Sequence, residues 1–307
     1  MYKKIFAILV IVFCSASLAF AYTGGSGTET DPYQIATVAD WNDLMHTTAD
    51  WNKHFVLIAD VNLLNITLTP VGSGTTKFTG TLNGNSHIIR NADINMPDGD
   101  FAGLFGCISN SRISNLGIIN IKVSGKSYVG ALAGYNRQSD ISVCYSTGKV
   151  NGSRLVGGLV GINFGSTITS CYSTCAVDGD STIGGLAGLT SASSIITCYA
   201  AGLVSADSNA GGLVGYKSGS GSVTNCFWDI ETSGQTTSSG GQGKTTADMK
   251  MFSTFKAAGW DFVKVWDIGE GQTYPFLRKY LIGDLNYDKA VNFADLSLFV
   301  DRWLQGD

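Results

Sequence analysis

The chain has 307 residues, 44% hydrophobic and only 14% charged, with 39 glycines and 4 prolines. Disordered chains are poor in apolar residues and rich in charge, so this composition excludes one. A formal net charge of −4 argues against a nucleic-acid partner, which calls for a basic stripe.

Residues 1–21 read as a secretory signal peptide. Lys3 and Lys4 give the positive start, and IFAILVIVF is an apolar run too short to cross a bilayer. Ala19-Phe20-Ala21 offers a small-x-small cleavage site that leaves Tyr22 first. Val12-Phe13 before Cys14 does not match a lipoprotein signal. No later apolar run is long enough to span. The mature chain is therefore expected outside the cell or on its surface, with no membrane span after cleavage. Cys107, Cys144, Cys171, Cys175, Cys198 and Cys226 remain, and export permits disulfides among them.

Residues 22–100 are expected to be an N-terminal cap and the first coils. Val38, Trp41, Leu44 and Met45 are spaced as on one helix face, with Thr37 as N-cap and Asp40 three residues on. HFVLIADVNL and KFTGTLNGNSHIIRNADI then alternate like strands, with turns at Asn83-Gly84 and Asn85.

Residues 101–228 repeat. The leucines of AGLFG, GALAG, GGLVG, GGLAG and GGLVG are Leu104, Leu132, Leu159, Leu186 and Leu213, 27 or 28 residues apart. A second column runs Leu116, Cys144, Cys171, Cys198, Cys226, and a third Val123, Val150, Val177, Val204. Glycine density is too high for helix interiors, and the short β-branched runs are bounded by turn residues. The predicted fold is an all-β solenoid, a right-handed parallel β-helix with coils of about 27 residues stacked about 4.8 Å apart. The Leu, Ile and Cys columns should point inward, with glycines serving tight corners and positive φ. Stacked thiols pointing the same way give poor bridge geometry, so free cysteines are expected. Cys175 replaces the glycine found at Gly148 and Gly202 and is expected to be exposed and reactive.

GGLVG followed by an Ile-x-x-CYS strand resembles the GLUG repeat of bacterial exported and adhesin-like surface proteins. The resemblance covers five units and implies a surface solenoid without a catalytic set.

Residues 229–280 are expected to close the last coil. TTADMKMFSTFKAAGWDF reads as a helix capped by Thr245 with Asp248 and ended near Gly259. Trp260, Phe262, Trp266, Tyr274 and Phe276 would cover the coil end or, alternatively, form a carbohydrate-stacking platform.

Residues 281–307 hold the sharpest pattern. Asp284, Asn286, Asp288, Asn292 and Asp295 fall at positions 1, 3, 5, 9 and 12 of an EF-hand-type loop, and Ala290 would give its carbonyl at position 7. This predicts a bound Ca2+ and a following helix with Leu296, Phe299, Trp303 and Leu304 on one face. The loop resembles a dockerin repeat, which implies a cohesin-like partner. It departs from the dockerin pattern in two ways: Lys289 stands where the usual glycine would, and one loop is present where a full dockerin has two.

Other constellations are thin. GGQGKT lacks the first glycine of a phosphate loop, which falls at Ser238, and His46, His54 and His87 show no metal spacing. Between 101 and 228 there is no Glu, and the Lys and Arg positions form no aligned row. Asp180 and Asp207 share a turn one coil apart, beside Asp178, and are the candidate residues for a cation or sugar. The function expected is non-catalytic binding, adhesion or surface scaffolding, with a protein or glycan ligand. An accessory role in extracellular polysaccharide degradation is one alternative. A β-helix polysaccharide lyase or hydrolase is another.

Overall fold

The computed structural model describes residues 21–278; the calcium-type loop lies outside them. The chain is an all-β parallel solenoid, and its register follows the repeat. Ile141 sits beside Ile168, Ile168 beside Ile195 and Ile195 beside Val223. Val150, Val177 and Val204 stack likewise. The GL-containing blocks lead into a five-stranded parallel sheet, Phe105–Ser109, Ala133–Arg137, Val160–Phe164, Ala187–Ser191 and Val214–Ser218. The long strands Arg112–Gly130 and Asp140–Gly157 bend around the remaining sides of their coils. All five repeat leucines are buried.

The corners are built differently from the expectation. Three columns of residues with left-handed φ run along the rod, and most are not glycine. One is Phe101, Tyr128, Leu155, Thr182 and Asn209, with φ from 51° to 64°. A second is Val143, Ser170, Thr197 and Asn225, and a third is Asn110, Gln138, Gly165, Ala192 and Gly219. The glycines of the repeat motif are needed for closeness instead. Gly161 has no positive φ, yet a Cβ there would stand 2.6 Å from both the Gly134 carbonyl oxygen and the Val129 nitrogen.

A left-handed corner turns backbone amides away from the regular ladder, and inward serines and cysteines take them up. Ser139 Oγ accepts from Ser111 N–H (2.9 Å) and donates to the Arg137 carbonyl (2.7 Å). Ser166 and Ser193 repeat the motif. At the next corner Cys171 Sγ accepts from Cys144 N–H (3.4 Å) and donates to the Thr169 carbonyl (3.2 Å), and Cys198 and Cys226 do the same one coil on. The cysteines are free, and their column bonds the coils together as well as filling space. Burial raises the Cys171 and Cys226 thiol pKa values, so both thiols stay protonated. A further inner ladder runs from Asn136 Nδ2 to Asn163 Oδ1 (2.7 Å) and from Asn163 Nδ2 to Thr190 Oγ1 (3.4 Å). Its first acceptor, Asn136 Oδ1, is buried without a partner among the described residues, because the preceding coil offers Ile108 at that rung.

Both ends carry a carboxylate that accepts four hydrogen bonds, on Oδ2 alone at Asp40 and on both oxygens at Asp229. The helix Val38–His46 has the expected capping box, and Asp40 accepts from Thr23 Oγ1, Ala36 N–H, Thr37 N–H and Thr37 Oγ1 at 2.8–2.9 Å. At the other end buried Asp229 accepts from Glu231 N–H, Thr232 N–H, Thr246 Oγ1 and Tyr274 Oη at 2.6–3.0 Å. The downstream helix is shorter than expected. Thr245 Oγ1 accepts from Asp248 N–H at the start of a 3-10 turn, Asp248–Lys250, whose N-cap is Ala247; the chain extends at Met251; an α-helix follows over Phe252–Ala257. Met249 and Phe255 both enter the cap core. On one continuous helix they would lie about 120° apart, on different faces. Trp260 and Trp266 are buried, 4.4 Å apart between ring centroids, and join Tyr199 in covering the last coils. That burial excludes these two from a sugar-stacking surface.

Candidate ligand-binding face

Cys175 is fully buried and cannot be the exposed thiol expected from the sequence. It points into the core beside the hydroxyls of Ser146 and Ser173, and burial pushes its pKa up to about 11. A protonated, enclosed thiol is a poor nucleophile.

Asp178, Asp180 and Asp207 are exposed, and Asp180 and Asp207 fall at matching positions on adjacent coils, between the pairs Gly179–Ala206 and Ser181–Ser208. Asp178 stands in register with Asn151 and Ser205 and lines a concavity of about 300 Å3 with Lys149 and Leu203. Asp207 lines a different trough, of about 540 Å3, with Asn209, Tyr216, Gln235 and Ser239. Among the described residues no three His, Cys, Asp or Glu side chains converge to hold a metal. His54 Nδ1 lies 2.9 Å from Thr81 Oγ1, and His87 Nδ1 lies 3.1 Å from Asp60 Oδ1.

The trough forms where the last coil meets the strap that follows it. Gly212 N–H donates to the Thr237 carbonyl, Ser239 N–H to the Val214 carbonyl, and Val214 N–H to Ser238 Oγ. These bonds cover the open edge of Val214–Ser218 and leave a polar channel beside it. Tyr216 stands on its wall, 50% exposed. Gln235 is partly committed, since its Nε2 donates to the Val204 carbonyl (2.9 Å).

Tyr216 also ends an outward column, Tyr135, Ile162, Leu189, Tyr216, one residue per coil. Asn209 ends the neighbouring left-handed corner column. At its other end Phe101 and Tyr128 lie nearly parallel, 4.7 Å between centroids, with Tyr135 6.1 Å from Tyr128. Large side chains at a left-handed φ are costly, on the order of 1 kcal/mol each. Over the first two coils Phe101 and Tyr128 build an aromatic surface with Tyr135, and the column continues as Leu155, Thr182 and Asn209. The sequence carried the columns at their 27-residue spacing, but nothing in it distinguished outward from inward positions next to a corner.

The comparisons fit this architecture. The family model of the GLUG motif matches residues 152–177. Halomucin of Haloquadratum walsbyi is 32% identical over 121 residues, 36% of this chain and 1% of that protein. A Gly-rich membrane protein of Evansella cellulosilytica is 34% identical over 125 residues, 38% of this chain and 14% of that one. The chain thus spans a small part of the length of either relative. A Bacteroides ovatus crystal structure, described as that of a candidate immunoglobulin A1 protease, superimposes with a TM-score of 0.68. It is 22% identical and covers 85% of this chain and 96% of its own. That likeness concerns the fold. No helix among the described residues is long and apolar enough to cross a membrane. The chain carries the GLUG repeat, wound as a parallel β-solenoid whose exposed, chemically varied side chains lie on the outside of the coils.

Proposed function

We propose that this is an exported, surface-associated binding protein whose ligand is a glycan held at the Tyr216 trough. The observation that carries the reading is the composition of that trough: one exposed aromatic ring beside Asp207, Asn209, Gln235 and Ser239. A pyranose offers an apolar face to a ring and hydroxyl pairs to carboxylates and amides. The names of the two relatives, halomucin and a Gly-rich membrane protein, favour a cell-surface setting. The calcium-type loop, Asp284 to Asp295, adds a candidate attachment device at the C-terminal side, with a cohesin-like partner as the docking version.

The test is a glycan array with the mature chain, followed by calorimetry on the best hit. Tyr216→Ala and Asp207→Asn should each weaken binding about tenfold, equivalent to roughly 1.4 kcal/mol. Unchanged affinity in both variants would remove the trough from the argument. Release of reducing ends, unsaturated products or protein fragments during incubation would replace binding with catalysis.

A further inference from the structure

The solenoid carries a charge pattern that its overall balance hides. Residues 101–160 contain six basic side chains, at 112, 122, 126, 137, 149 and 154, and one acid, Asp140, in a chain of net charge −4. Four of the six lie on one stretch of the coils, and the register brings two together. Lys122 and Lys149 are direct partners on adjacent rungs of the parallel ladder, which corrects the expectation that no basic row aligns. Lys126 lies one turn of chain beyond Lys122, and Arg154 pairs with Ser127, the residue after it. All four are exposed. Among the described residues none has a carboxylate within 4.0 Å of its cation.

Like charges placed directly opposite each other in a sheet destabilise it. Asp93 is the partner of Lys122 on its other side but forms no ion pair with it within 4.0 Å, and the partner of Lys149 on its other side is Ala176. The inward residues of these rungs, Val123 and Val150, already supply the packing, so the outward lysines are not required by the core. Polar, uncharged Ser124 and Asn151 lie between the cations along the same strands. Acids resume in the coils on either side, Asp93 in register with Lys122 on one and Asp178 in register with Asn151 on the other. The positive band is thus two coils wide, about 10 Å with its margins.

We propose that this band is a second binding site, for a linear acidic polysaccharide whose carboxylates are held by Lys122, Lys149, Lys126 and Arg154. A polyuronate carries one carboxylate per sugar, at a spacing of the order of one rung. Each carboxylate can therefore meet one lysine as the polymer runs along the rod, with Ser124 and Asn151 available to its hydroxyls. The acid-bordered width disfavours duplex DNA, whose charges are far denser and need a long basic stripe.

The experiment measures binding of the full mature chain to polygalacturonate, to the same polymer fully methyl-esterified, and to double-stranded DNA, each across a salt series. The acidic polymer should bind, with affinity falling as salt rises, and the ester should not. The Lys122→Gln/Lys149→Gln double variant should lose at least tenfold in affinity at about 0.1 M salt and show a shallower salt dependence. Arg154→Gln should lose severalfold, and Lys217→Gln, on the far coil, should bind as the parent does. Tyr216→Ala should leave this binding intact, so failure here is separate from failure of the trough. The proposal is overturned if polygalacturonate does not bind at low salt, if the double variant binds unchanged, or if DNA binds as tightly.

Discussion

Replacing Cys171 tests whether the thiol column bonds or merely fills. Cys171 Sγ receives the Cys144 N–H and gives its proton to the Thr169 carbonyl, all within a fully buried corner. Cys171→Ala leaves that amide without an acceptor where water cannot reach, a cost of about 1–3 kcal/mol. Losing the buried sulfur adds roughly 1 kcal/mol, as for a buried methylene. The sum is about 2–4 kcal/mol. Cys171→Ser keeps a donor and an acceptor, though with a shorter bond from Cβ, and should cost about 1 kcal/mol. The assay is urea denaturation followed by circular dichroism, comparing midpoints and slopes in reducing buffer. The ranking decides the matter. A bonding column makes serine better than alanine. An apolar filler makes alanine better than serine, since a buried hydroxyl then has nothing to gain. Alanine equal to or above serine would refute the reasoning.

Other measurements bear on the remaining devices. Ile108→Thr places a hydroxyl donor at the rung facing Asn136 Oδ1. It should cost at least about 1 kcal/mol less than Ile113→Thr, which meets no orphaned acceptor. Gly161→Ala should destabilise by about 1–3 kcal/mol, because its Cβ meets backbone that cannot yield. Gly165→Ala, at φ +60° with only Gln138 Cγ at 3.5 Å, should cost about 1 kcal/mol, the conformational penalty alone. Burial opposes ionisation of Asp40, but the bonds from Ala36, Thr23 and Thr37 outweigh it and lower its pKa. Its stabilisation is therefore present above the unfolded carboxylate value of about 4 and is lost as pH falls below that. In a thermal melt series from pH 6 to pH 2, Asp40→Asn should flatten the acid limb. Calcium should raise the melting temperature of the full chain, and Asp284→Ala with Asp295→Ala should abolish the rise. Identical melts in calcium and chelator would dismiss the loop.

The fold was legible because a solenoid writes its register into its sequence. Columns such as Leu104 to Leu213 and Val123 to Val204 need only be aligned at their period to give the coil. The N-terminal helix was equally plain, since Thr37 and Asp40 form a local motif. What resisted reading depended on direction. Phe101, Tyr128 and Leu155 occupy left-handed corners that local propensity assigns to glycine or asparagine, and only the backbone path reveals them. Cys175 looked exposed because its glycine equivalents mark a turn, yet its own side chain turns inward. Lys122 and Lys149 stood 27 residues apart in plain view, but their significance needed the knowledge that both point outward without an ion pair among the described residues. The Tyr216 trough needed the strap at 235–239, far along the chain, to supply its second wall.

The register has one irregularity with a broader meaning. From Asp140 to Ser146 each residue pairs with one 28 positions earlier, and from Gly148 onward with one 27 earlier. The surplus residue is absorbed at Asn120, a left-handed corner, without disturbing the faces on either side. The last coil does the same: Ser191 pairs 27 positions ahead with Ser218, but Ser194 pairs 28 ahead with Ser222, the extra residue falling in the Gly219–Gly221 bend. Along a face, a single inserted residue would exchange core and solvent for everything after it. At a corner it disappears. The rod can thus gain or lose whole coils by recombination and tolerate ragged repeat lengths, provided the errors fall at its bends, which leaves coil number free to drift while every surface column stays in line.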